Sequence, residues 1–181
     1  MAELPPRVVL VGFMGSGKTT VGQRLADRLR WTLVDMDAQI EEETGLSVAG
    51  IFRSHGEAFF REREAHLALA LSGQERLVVA AGGGAFAMPA TREALRAGAA
   101  TVWLRCGIET ILARVPLDGS RPLASSRETI RRLLAEREPS YRLADLTVDA
   151  SARSPEAVAG EIAECLFAGR PAAGPGGRPD R

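Results

Sequence analysis

Lysine is almost absent from this sequence: of 23 basic residues, 22 are Arg and only Lys18 is Lys. Arg supplies every generic positive charge, so the single compact ammonium marks a slot that a wide, planar guanidinium does not suit. Cysteine is nearly as scarce. Cys106 and Cys165 lie far apart with no His or Cys at ligand spacing, which excludes a disulfide framework or a zinc site and leaves two small core residues. His55 and His66 stand alone on expected helices and receive no role. Charge of one sign is missing too. Lys plus Arg and Asp plus Glu each total 23, so there is no basic field to hold a phosphate backbone, and no nucleic-acid partner is expected. No stretch approaches the roughly 18 apolar residues of a membrane span, and the opening MAELPPRVVLVGF lacks the basic start and apolar run of a secretory signal. A cytoplasmic protein with no membrane partner, acting as a monomer, is the expectation.

With 181 residues, 45% of them hydrophobic, the chain can bury one core but not two. Short β-branched runs at 7–11, 32–35, 77–81, 101–104 and 146–148 read as strands. Helical patterns fall between them, at 18–29, 38–43, 48–54, 57–71, 89–97, 108–114, 128–137 and 155–167, with Asp37, Ser47 and Ser154 placed as N-caps. This alternation predicts an α/β fold: a doubly wound, parallel five-stranded sheet flanked by helices. One domain spans 1–168. From 169 the chain reads GRPAAGPGGRPDR, rich in Pro and Gly without apolar periodicity, and is expected to be a disordered tail.

All strands of a parallel sheet end on one edge, where ligands bind. The first strand is followed by G-F-M-G-S-G-K-T from Gly12 to Thr19, a complete phosphate-loop pattern between a strand and a helix. Its glycines permit close approach, so that the N–H groups of Gly15, Ser16, Gly17, Lys18, Thr19 and Thr20 can surround the phosphates of ATP. Lys18 then bridges the β- and γ-phosphates and the Thr19 hydroxyl ligates Mg²⁺. The lone lysine also rules out the Asn-Lys-x-Asp guanine signature of GTPases. LSGQ at 71–74 resembles a transporter ATPase signature, but no apolar run ending in Asp-Glu follows it. Asp35 and Asp37 close the second strand, and strand alternation sends both carboxylates to one side, facing the phosphates. One can hold the metal through water while the other acts on an attacking hydroxyl.

Taken in order, GFMGSGKTTVG, LVDMDAQIE, TGLSVAGIF, GEAFFREREAH, AAGGGA, SRPLA and REPSYRLAD resemble the shikimate kinase family across 8–167. The resemblance implies a P-loop NTPase-type kinase with a mobile lid, which uses ATP and Mg²⁺ to phosphorylate the 3-hydroxyl of shikimate. Asp37 is then similar to the aspartate that acts on that hydroxyl, Asp35 to the metal-supporting one, and Arg61 and Arg142 to the pair that grips the shikimate carboxylate. Such a pair suits a carboxylate, since each guanidinium bonds it bidentately. Glu64, one turn after Arg61, is placed to hold it. Gly83 resembles the backbone lining the substrate, and Arg121 the arginine of a lid at about 116–126 that folds onto ATP. Arg114, Arg153 and Pro155 look like the adenine-side residues. Two alternatives stay open: a kinase for another small hydroxy acid such as gluconate, and a nucleotide-binding regulatory domain.

Overall fold

The computed structural model describes residues 4–168. The expected tail at 169–181 lies outside the described residues. Within them the chain alternates β1 (Arg7–Val11), α1 (Lys18–Leu29), β2 (Thr32–Asp35), α2 (Met36–Thr44), α3 (Val48–Leu71), β3 (Leu77–Ala80), α4 (Pro89–Arg96), β4 (Ala99–Arg105), α5 (Ile108–Arg114), α6 (Arg127–Tyr141), β5 (Leu146–Asp149) and α7 (Pro155–Ala168). The strands are all parallel, in the order β2, β3, β1, β4, β5. Val9 in central β1 lies beside Val79 on one side and Thr101 on the other. Buried on both faces, β1 from Val8 onward and β3 are unbroken apolar runs and not alternating ones. Each fully buried Val or Leu there stabilises the fold by about 1.5–3 kcal/mol.

Connections part at the middle of the sheet. α1 leads from β1 toward β2, whereas α4 leads from β3 toward β4. The carboxyl ends of β1 and β3 therefore open a crevice where ligands of doubly wound sheets bind. At the opposite edge buried Arg7 donates to the carbonyls of Ser72, Gln74 and Ala97, tying the ends of α3 and α4 to β1.

Three differences from the sequence reading matter for the site. Asp35, not Asp37, caps α2: its Oδ1 accepts from the Ala38 N–H at 3.2 Å, and Asp37 sits in the first turn. The helices expected at 48–54 and 57–71 are joined in α3, but Gly56 leaves the helical region (φ 82°, ψ 172°) and kinks it. A side chain would be strained at that φ, so the glycine fixes the bend. Most consequentially, α6 does not stop at 137 ahead of Pro139. Proline deletes only one hydrogen bond in a last turn, and fully buried Tyr141 anchors that turn in the core.

Candidate active site

The nucleotide side of the crevice is made largely of main chain. Gly17 caps α1 in a left-handed conformation (φ 91°) with no side-chain cap, so the first N–H groups of the helix stay available to an anion. Lys18 Nζ folds back to donate to the carbonyls of Gly12 (2.9 Å) and Phe13 (3.0 Å). Burial lowers its pKa to about 8, against the opposing pull of the nearby carboxylates Asp37 and Asp35. The Thr19 hydroxyl donates to Asp35 Oδ2 at 2.5 Å. Lys18, Thr19, Thr20, Asp35 and Asp37 all line one cavity of about 530 Å³. A second cavity, of about 280 Å³, adjoins the phosphate loop and is lined by Gly15, Ser16, Arg114, Arg153 and Pro155. There Arg114 donates to the carbonyls of Gly15 (3.3 Å) and Ser151 (3.2 Å), and Arg153 to that of Asp149 (3.3 Å).

The acceptor side is made of charges that hold one another. Arg61 on α3 is clamped between Glu57, at 2.9 Å from Nη2, and buried Glu64. Arg137 on α6 is buried with its guanidinium over the Phe13 ring, 5.8 Å from the centroid. Arg61, Glu64 and Arg137 pack on Gly82–Gly84, where each glycine has different neighbours. A Cβ on Gly82 would press on Asp37 Oδ1 (2.9 Å) and Glu64, one on Gly83 would meet Met14 N (3.3 Å) and Arg137 Nη1 (3.6 Å), and one on Gly84 would overlap the Arg61 guanidinium (2.5 Å). At Gly82 and Gly84 charged side chains occupy the space a β-carbon needs, and at Gly83 the main chain of Met14 crowds it. Glu64 Oε1 and Asp37 Oδ1 are buried without a hydrogen-bond partner among the described residues. Such acceptors are costly unless a ligand brings donors to them. Burial raises the pKa of both carboxyls, opposed by Lys18 at Asp37 and by Arg61 at Glu64.

Arg142 is the site residue that the structure does not bring here. It follows Arg137 by five residues on a helix that continues through Pro139, which turns it about 140° to the outside. Its guanidinium pairs with Glu138 at 2.6 Å, lies over Trp103 and lines none of these cavities. The second guanidinium on the acceptor side is Arg137. Residues 115–126 carry no helix or strand and pass over both sides. Arg121 there stands 3.7 Å from Asp37 Oδ2. Sequence reasoning also passed over Gly82, Gly84 and Met14, whose part depends on packing that no local pattern encodes.

This geometry can be set beside known proteins. The shikimate kinase family model matches residues 14–167. The chain belongs to the shikimate kinase family. A shikimate kinase from Moorella thermoacetica is 46% identical over 91% of this chain and 96% of its own. Among solved structures, the shikimate kinase from Acinetobacter baumannii, in complex with shikimate, superposes with a TM-score of 0.87 at 36% identity, covering 91% of this chain and 94% of that one. A gluconokinase from Sinorhizobium meliloti reaches a TM-score of 0.61 at 18% identity, covering 92% and 94%, a likeness of fold alone. The doubly wound sheet read from the sequence is thus the fold of shikimate kinases. Among the described residues no helix is long and apolar enough to cross a membrane.

Proposed function

We propose that this shikimate kinase transfers the γ-phosphoryl group of ATP to the 3-hydroxyl of shikimate, with Asp37 acting on that hydroxyl. One observation carries the assignment of roles: the phosphate cavity and a smaller one of about 50 Å³, lined by Arg61, Glu64 and Arg137, meet at Asp37 and share Met14, Val48, Gly83 and Arg121. A phosphoryl group held at Lys18 and a carboxylate held by Arg61 and Arg137 would face each other across that carboxylate.

In this mechanism the hydroxyl oxygen forms the new bond to phosphorus in line with the bridging oxygen that leaves with ADP. The hydroxyl proton passes to Asp37, whose raised pKa brings it closer to the range of a working base. Lys18, released from its own loop carbonyls, offsets charge on the bridging and γ-oxygens. Gly15 to Thr20 surround the phosphates, and Arg114 and Arg153 flank the adenine. Thr19 and Asp35 would hold magnesium. The residues fit that ion: two oxygens meet on the cavity wall, and no cluster of three or more potential ligands exists among the described residues, which suits a cation that keeps most of its water and phosphate ligands. When bound, magnesium would neutralise phosphate charge. Residues 116–126 form the lid, which closes Arg121 over the phosphates and excludes water.

A coupled assay of ADP release against shikimate, quinate, gluconate and nucleoside monophosphates tests the reading. Shikimate is expected to stimulate release far above the others. Greater stimulation by gluconate would contradict the acceptor assignment and leave the phosphate site standing.

A further inference from the structure

We propose that Tyr141 is a positioning residue for the acceptor site, whose hydroxyl fixes the Gly83 peptide and so sets the glycine run and Arg137 as one unit. The inference rests on the kinase reading above. Tyr141 is the only tyrosine of the chain. It is fully buried in the last turn of α6, four residues after Arg137 on the same face, with its ring against Trp103 (centroids 6.1 Å apart). Its hydroxyl donates to the carbonyl of Gly83.

The three carbonyls of the run are not held alike. That of Gly82 accepts from Ala85 N–H and that of Gly84 from Ala87 N–H, each at 3.1 Å. Among the described residues the Gly83 carbonyl has no such main-chain partner and is held by the phenol. Three consecutive glycines restrain their own torsions very little, so the peptide needs fixing from outside. A trans peptide carries its N–H opposite its carbonyl. Turning the Gly83 oxygen toward Tyr141 in the core therefore directs the Gly84 N–H away from it, on the side where Gly83 and Gly84 line the acceptor cavity. The position is tight. A β-carbon on Gly83 would crowd Met14 N of the phosphate loop at 3.3 Å and would reach ordinary contact with Arg137 Nη1 at 3.6 Å, so Arg137 is the acceptor-side group that packs beside this peptide. Burial pushes the phenol pKa up to about 12, opposed by Arg137, and the group remains a donor at any working pH.

Tyr141→Phe keeps the ring and removes only the donor, leaving the Gly83 carbonyl unpartnered. The expected result is a KM for shikimate raised about tenfold, with the KM for ATP close to wild type and the melting temperature lowered, because a buried carbonyl loses its donor. Wild-type turnover is measured alongside. Its absence with shikimate would overturn the kinase reading, and the inference with it. Where it is present, a shikimate KM within about twofold of wild type, or a rise shared equally by ATP, would overturn the role of Tyr141 alone. A second measurement needs no folded variant. Because the tyrosine is unique, 3-fluorotyrosine labels it alone in the otherwise unchanged chain, and its ¹⁹F resonance is expected to shift on addition of shikimate. A resonance that shikimate leaves in place would also overturn the proposal.

Discussion

On the proposed nucleotide side of the crevice the groups that would face a phosphate are consecutive positions between Gly12 and Thr19, whereas on the proposed acceptor side Asp37, Arg61, Glu64 and Arg137 come from three helices. The first arrangement depends on one loop conformation and one ammonium. The second depends on mutual support: Arg61 rests on Glu57 and Glu64, and Arg61, Arg137, Asp37 and Glu64 all press on Gly82–Gly84. A main-chain site therefore tolerates most side-chain changes around it. A network of buried charges does not, because removing one partner leaves another uncompensated.

Asp37 stands where the two sides meet, and its loss is the harshest test of the division. Asp37→Asn is expected to lower kcat by about 10²–10⁴ while ADP affinity stays near wild type; a change confined to shikimate KM would make it a binding residue only. On the nucleotide side Lys18→Arg keeps the charge yet is expected to lose about 10²–10³ in kcat, the scale of a misplaced electrostatic donor. Near-normal turnover would show that the loop accepts a guanidinium after all. Arg61→Ala should separate the two plans in another way. It is expected to raise shikimate KM about tenfold or more and also to lower the melting temperature, because Glu64 loses its buried partner; an unchanged melting temperature would argue against mutual support. The smallest effect is expected at Arg121, half-exposed on its loop, where alanine lowers kcat by about tenfold and leaves ADP binding nearly unchanged. Unchanged kcat would remove the lid from the account.

How much of each side was legible in the sequence follows from the same contrast. Gly12 to Thr19 is contiguous and sits between a strand and a helix, so both its place and its chemistry could be read directly, and the five parallel strands followed from the apolar runs. Arg61 and Glu64 share a helix turn, and their contact was readable from spacing. Arg137 was not. Only the resemblance of REPSYRLAD assigns Arg142 to the carboxylate, with the helix expected to end at 137, when the helix in fact continues through Pro139 and carries Arg142 outward over Trp103. Tyr141, buried and in register with Arg137, is the signal that the last turn packs inward. Of the glycines at 82–84 only Gly83 was read, as backbone lining the substrate, whereas the missing β-carbons of Gly82 and Gly84 make room for the protein's own charges. Asp35 and Asp37 both reach the cavity, yet through a cap and a first helical turn and not through strand alternation.

The most direct test of the acceptor side is the KM for shikimate in Arg137→Ala and Arg142→Ala, measured side by side by ADP release at saturating ATP. Loss of a charge-assisted contact predicts a rise of about 10–100-fold for Arg137→Ala, with Arg142→Ala close to wild type because its guanidinium serves a surface pair with Glu138. The reverse pattern, a large rise for Arg142→Ala and little change for Arg137→Ala, would contradict the architecture of the site described above.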